Sequence, residues 1–322
     1  MKTVLKVAGV VVACLLLIGG AAYGWASVTT DRAFSRAIDT HSIDFPIPFP
    51  LAAEEVEELE LTDEEAREVA LERARERGRH LVQARYACGE CHGDDFSGGV
   101  MVDAFPIGRL LGPNLTGGEG GVTGGYTAAD WDRIVRHGVL PDGRPAVMPS
   151  EDFQLMSDQE LSDIIVFLSS QPPIDNQVPP PSFGPLGRML VATGEIHLSA
   201  DLIDSHTSSH TVLPPAAEVS VEFGRHLAGV CVGCHGQDYA GGPIAGGDPS
   251  WAAARNLTPH ESGLAGWSYE DFARAMLDEV RPDGSPVQLP MTMITPYARE
   301  MTEVELRALW RYLQSVPPVP TG

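Results

Sequence analysis

Two cysteine pairs of identical spacing carry the chemistry of this 322-residue chain: Cys88-Gly89-Glu90-Cys91-His92 and Cys231-Val232-Gly233-Cys234-His235. Positions i and i+3 on a helical turn put both sulfurs on one side. There they can form thioethers with the two vinyl groups of one porphyrin, while the adjacent histidine brings an imidazole nitrogen to the iron. Cys-x-x-Cys-His is accordingly the attachment signature of c-type haem. Zinc is the competing chemistry, since two such pairs can supply four sulfurs to one ion. A shared zinc explains neither the histidine after each pair nor the repetition around them. A thioredoxin-type redox pair needs a βαβ pattern, which the flanking sequence lacks.

The pairs head two copies of one unit, 143 positions apart at Cys88 and Cys231. Gly78-Arg79-His80-Leu81 recurs as Gly224-Arg225-His226-Leu227, Asn114-Leu115-Thr116 as Asn256-Leu257-Thr258, and Pro141-Asp142-Gly143 as Pro282-Asp283-Gly284. A twofold repeat of this length means tandem domains rather than a solenoid. Ser157 and Thr302 are natural N-caps for a terminal helix in each copy, and Thr127 with Asp130 and Ser268 with Asp271 open a middle helix. Long alternating strand patterns are missing, so the fold class is all-α. The expected organisation is an anchor over 1–30, a spacer over 31–61, a first domain over 62–174, a Pro-rich linker over 175–218 and a second domain over 219–322.

Each unit resembles the class I, mitochondrial-type cytochrome c family, over roughly 63–173 and 219–318. The resemblance implies two tandem helical domains with two covalently bound haem c groups, attached at Cys88, Cys91, Cys231 and Cys234. It implies proximal ligation by His92 and His235, and a methionine sulfur from a loop before the last helix. Met148, followed by Pro149, lies 56 residues after His92 and nine before Ser157. In the second copy Met293 keeps the nine-residue approach to Thr302, whereas Met291 keeps the 56-residue distance from His235. Met293 is preferred, because the short link into a packed helix tolerates length change least. Gly112-Pro113-Asn114-Leu115 resembles the family segment whose proline carbonyl accepts the proximal imidazole N–H; in the second copy Arg255 precedes Asn256 instead. Arg109 and Arg255 are candidates to neutralise haem propionates, and Tyr126 and Trp267 are candidate pocket walls. The other histidines, including His137, His197, His206, His210, His226 and His260, read as solvent-exposed side chains. His206 and His210 also stand four apart, a spacing compatible with a metal.

Five cysteines are too few for a disulfide scaffold, and Cys14, the one outside the pairs, reads as a buried side chain. A formal charge of -22 repels phosphate backbones, so nucleic-acid binding is not expected. The same charge favours partners with basic docking patches, and the Glu54 to Glu65 stretch is a candidate part of such an acidic face. Lys2 and Lys6 precede an uncharged run from Val7 to Thr30, which reads as a single membrane-spanning helix with the remainder exported. A cleaved signal peptide competes, although the apolar run is long for one. Pro46, Pro48 and Pro50 suggest an extended spacer lifting the domains off the membrane.

Methionine and histidine on one iron leave no position open for peroxide or oxygen. The resemblance therefore implies no catalysis, and a single-electron shuttle on the periplasmic side of the inner membrane. The alternative is a cytochrome subunit of a larger dehydrogenase, respiratory or photosynthetic complex. A dihaem peroxidase requires one exchangeable iron position, and a thiosulfate-oxidising dihaem enzyme requires a spare cysteine ligand, so both fit less well.

Overall fold

The computed structural model describes residues 2–244, 247–248 and 250–321. Helix α1 (Lys2–Ser35) is the one described helix long and apolar enough to cross a membrane. It runs five residues past the anchor boundary that hydropathy suggests, because its last turns are buried against the rest of the protein rather than freed into solvent. Ala26 and Thr30 are inaccessible there. Cys14, expected to be buried, is exposed on this helix beside Leu15 and Leu16.

Helices α2 (Ala53–Glu58) and α3 (Asp63–His80) lead into a π-helical turn over Leu81–Arg85 and the short α4 (Gly89–His92). Strands β1 (Gly99–Ala104) and β2 (Gly108–Gly112) follow, then α5 (Ala128–His137), a 3-10 turn over Ser150–Phe153 and α6 (Asp158–Ser169). The connecting segment forms β3 (Ser182–Phe183), α7 (Pro185–Thr193) and α8 (Ser199–Leu202). The second copy comprises α9 (Val221–Leu227), a 3-10 turn over Ala228–Cys231, α10 (Val232–His235), α11 (Tyr269–Asp278), a 3-10 turn over Met291–Met293, α12 (Thr295–Glu300) and α13 (Glu303–Leu313). The architecture is all-α with one departure, a three-stranded antiparallel sheet in the order β1-β2-β3. Its strands are short, and β3 lies some seventy residues from its partner β2, so no local alternation announces it.

Five described helices start with complete capping boxes, at Thr62, Thr127, Ser157, Ser268 and Thr302, each hydroxyl accepting from the backbone three residues on. In each copy the helix that carries the repeated Gly-Arg-His-Leu crosses the terminal one at the glycine of that motif. A Cβ on Gly78 would stand 2.0 Å from the Asp163 carbonyl oxygen, and one on Gly224 2.0 Å from that of Ala308. Edge-to-face ring pairs recur beside both crossings, Phe96 with Phe167 and Tyr239 with Tyr312, each at 5.8 Å. Around these lie two cores, one centred on Val82, Leu161 and Ile164, the other on Phe223, Leu309 and Leu313.

Spacer and linker are not the loose connections that their prolines suggest. Phe45 is buried in the first core, the Ser162 hydroxyl donates to the Pro46 carbonyl, and Ile38 pairs with Gly143 through the backbone. Linker helix α7 packs on the foot of α1: the Thr30 hydroxyl donates to the Arg188 carbonyl, and the Arg188 guanidinium pairs with Asp31 at 2.7 Å. Apolar side chains interleaved with the prolines explain this docking, since burying them outweighs the stiffness of the segment.

Both crossing glycines have no room for a methyl group. Gly78→Ala and Gly224→Ala should each destabilise their domain by about 1–3 kcal/mol or more through overpacking, despite alanine's better helix propensity, and thermal unfolding of the two single variants measures it.

Candidate functional site

Each Cys-x-x-Cys-His segment closes with a glycine in the left-handed region, Gly93 at φ 79° and Gly236 at φ 78°, which turns the chain sharply after the histidine. None of the four cysteines is in a disulfide. Burial pushes the Cys88 and Cys231 thiols up to about 12, so both are neutral. His92 Nδ1–H donates to the Pro113 carbonyl at 2.9 Å, and His235 Nδ1–H to the Arg255 carbonyl at 2.7 Å. A carbonyl can only accept, so each Nδ1 carries the proton and each Nε2 keeps a free lone pair. Burial lowers the pKa of both rings.

Both cysteine pairs, both histidines, Met148, Met291 and Met293 line one continuous cavity of about 1360 Å³. Pro113, Tyr126, Arg255, Asn256 and Trp267 also line it. Arg109 does not: it lies on the exposed face of β2, paired with Asp103 at 3.2 Å. Asn114 is fully buried and holds the loop, accepting from Thr116 and donating to the Ile174 carbonyl; Asn256 does the same with Thr258 and Val319. Neutral, unlinked thiols, unprotonated imidazole nitrogens and thioether sulfurs around one apolar cavity suit haem c. A four-sulfur zinc site does not form, since the one described cluster of histidine, cysteine and acidic groups able to hold an ion contains none of these cysteines.

The cavity is continuous because the two domains exchange contacts reciprocally. Glu160 and Glu305, the equivalent capping-box glutamates of α6 and α13, are both buried. Glu305 accepts from His80 of the first domain at 2.9 Å, and Glu160 accepts from the equivalent His226 of the second at 2.8 Å. Arg85 reaches both, at 2.9 Å to Glu160 and 2.5 Å to Glu305. Burial alone would raise the Glu305 pKa, but the His80 hydrogen bond and the Arg85 charge hold it at about 2. Glu160 is likewise held low, mainly by His226 against its own burial. A second exchange joins the Cys-x-x-Cys turns. Asp152, following Met148, accepts from the Gly233 N–H at 2.9 Å, and Tyr297, following Met293, lies against Gly89 and Glu90.

The sequence reading missed these pairs. His137 and His226, read as solvent-exposed, are buried: His226 faces the opposite domain, and His137 faces spacer and linker. A repeated histidine is a detectable signal, but its partner lies in the other copy, outside any local window.

The model for cytochrome c oxidase, cbb3-type, subunit III matches residues 73–168, and the cytochrome c model matches residues 221–317. The cytochrome c subunit of alcohol dehydrogenase (quinone) from Komagataeibacter europaeus is 28% identical over 260 residues, covering 71% of this chain and 52% of the relative. The gluconate 2-dehydrogenase cytochrome c subunit from Pantoea cypripedii is 27% identical over 292 residues, covering 80% and 62%. A diheme cytochrome c-type protein from Cereibacter sphaeroides is 24% identical over 259 residues, covering 72% and 82%. The chain spans about half the length of the alcohol dehydrogenase subunits it matches. Each half is thus a helical haem-binding domain of the cytochrome c type. The chain belongs to the tandem dihaem c-type cytochromes and carries two covalently bound haem c groups.

The Glu305 pairing sets an acid limit on the interface. Its folded pKa of about 2 lies below the unfolded value of roughly 4.3. Its contribution, on the order of 3 kcal/mol, is therefore complete above pH of about 4.3 and disappears as the pH falls toward 2. Acid titration followed by urea unfolding should show the domains uncoupling in that window. Glu305→Gln should weaken the coupling already at neutral pH, by about 1–3 kcal/mol, because His80 loses its carboxylate partner while Arg85 keeps Glu160.

Proposed function

We propose that this chain is the electron-transferring cytochrome subunit of a membrane-bound dehydrogenase, anchored by α1 with both haem domains on the periplasmic side. The observation that carries the reading is the single cavity shared by both cysteine pairs. Two pockets that open into each other suit relay between haems better than two independent docking events. The names of the relatives, cytochrome subunits of alcohol dehydrogenase (quinone), gluconate 2-dehydrogenase and fructose dehydrogenase, favour a complex over a free shuttle. The chain itself makes and breaks no substrate bond.

In this reading Cys88 and Cys91 hold one haem, and Cys231 and Cys234 the other. Bound haem c supplies a one-electron ferric/ferrous couple. His92 and His235 would ligate the irons through Nε2, oriented by the Pro113 and Arg255 carbonyls. Met148 would ligate the iron of the first haem and Met293 that of the second, with Met291 the competitor on the same 3-10 turn. Thioether ligation raises the reduction potential, and the apolar wall, including Tyr126 and Trp267, excludes water. Arg255 stands where it can balance propionate charge. Donor and acceptor are proteins presenting basic surfaces to the acidic exterior, drawn by long-range attraction that salt weakens.

Native membranes provide the test. The haem-staining chain should co-migrate with a dehydrogenase and be reduced when that enzyme's substrate is added; a chain that migrates alone and is reduced only by soluble carriers would overturn the subunit reading. Pyridine haemochrome should give two haems per chain and one in the Cys88→Ser/Cys91→Ser variant. Met293→Ala or Met291→Ala, whichever abolishes the second methionine-to-ferric near-infrared band, identifies that ligand.

Asp152 gives this assignment a pH signature. Burial first, then the nearby Glu151 charge, raises its carboxyl to about 7. As pH rises through that value the carboxylate forms beside Gly233 and favours the ferric state. The midpoint potential of one haem should fall over roughly pH 6 to 8, and Asp152→Asn should flatten that slope in a spectroelectrochemical titration.

A further inference from the structure

On the far side of α5 from the cavity, four side chains from three distant segments converge. His41 comes from the spacer, Asp132 and His137 from α5, and His210 from the linker. His137 Nε2 lies 3.2 Å from His41 Nε2 and 3.2 Å from His210 Nε2. Asp132 Oδ2 lies 3.0 Å from His41 Nε2 and 3.6 Å from His137 Nε2. All four ligand atoms fall within 4.8 Å of one another. Tetrahedral zinc with bonds of about 2.0–2.1 Å places its nitrogens roughly 3.3 Å apart.

The hydrogen bonds around the cluster fix where the protons sit. His206 Nε2 faces the Ala200 carbonyl at 3.0 Å and must donate to it. Its Nδ1 is then an acceptor, and His137 Nδ1, at 3.3 Å, donates to it. His210 Nδ1 faces the Gln154 carbonyl at 3.2 Å and also donates. In the neutral rings, therefore, His137 Nε2 and His210 Nε2 are both bare lone pairs, pointed at each other at 3.2 Å with no proton between them. The single His41 Nε2–H can serve Asp132 Oδ2 or His137 Nε2, and the His210 Nε2 lone pair faces no proton, an arrangement of acceptors around one point that a cation would satisfy. Asp132 Oδ1 is already taken by Arg136 Nε at 2.8 Å, which aims Oδ2 at the histidines.

We propose that His41, Asp132, His137 and His210 bind one zinc-type divalent cation, through three imidazole nitrogens and one carboxylate oxygen, with His206 orienting His137 from behind. A nitrogen-rich tetrahedral set selects zinc over calcium or magnesium. The second copy lacks the constellation: Ala273, Leu277 and Asp278 stand where α5 has Asp132, Arg136 and His137. The site is thus an addition to the first domain and no part of the shared haem machinery. Its ligands tie the membrane-proximal spacer, the first domain and the linker to one point. His210 also anchors Gln154, in the loop between Met148 and α6, and the Ser199 hydroxyl donates to the Met148 carbonyl. The cation would brace the Met148 loop from outside.

The test uses full-length protein in detergent with both haems attached, stripped with chelator and then equilibrated with zinc chloride. Elemental analysis should give one zinc per chain, and X-ray absorption at the zinc edge should show only nitrogen and oxygen neighbours at about 2.0–2.1 Å. His206→Ala should weaken binding roughly 10–100-fold, as loss of an orienting partner does. His41→Gln and His210→Gln, both outside the domain cores, should lose at least as much while keeping the two-haem spectrum. Zinc should raise the unfolding temperature of the parent protein and not of these two variants. A holoprotein that takes up no zinc overturns the proposal, as does zinc bound with sulfur neighbours or with affinity unchanged in both variants.

Discussion

The arrangement of the molecule depends on two buried glutamates that each domain offers to the other. Glu160 and Glu305 first serve their own helices as capping-box residues, and then accept from His226 and His80 across the interface, with Arg85 between them. Carboxylates this deep are tolerated only when paired, because an uncompensated buried charge costs several kcal/mol. The pairing fixes how the domains face each other, and that orientation brings both cysteine pairs onto one cavity. A repeat built to cap a helix has thereby also become the device that joins two copies.

The presence of two haem-attachment motifs was legible in the sequence, because attachment chemistry demands a short contiguous motif and the motif occurs twice. The methionine loop of the first copy was nearly as clear, through Met148-Pro149 and its distance to Ser157. The second was not, since Met291 and Met293 satisfy different spacings, and the structure puts both on the cavity wall. The helices followed from capping residues and apolar spacing. The small sheet did not, because its strands are short and β3 is contributed from the far side of the first domain.

What stayed hidden shares one physical origin, the meeting of residues distant in the chain. His41, Asp132, His137 and His210 span 169 positions and have no counterpart in the second copy, so neither spacing nor self-comparison singles them out as a group. Proline content suggested loose connectors, whereas Phe45 and α7 show that stiff segments dock when apolar side chains lie between the prolines. Charge type misled as well: histidines read as surface groups became interior ones once a carboxylate or another ring was available to receive them.

The seat of α7 on the foot of α1 has a consequence for reach. A flexible stalk would let the cargo sweep a hemisphere and meet collaborators at many heights. With Arg188 held to Asp31 and Thr30, an α1 placed in a bilayer as proposed would carry the rest of the chain with less freedom to swivel just above the lipid. In that setting a collaborator would have to present its own redox group within a narrow band of altitudes, as a bolted socket accepts only a plug brought to its level.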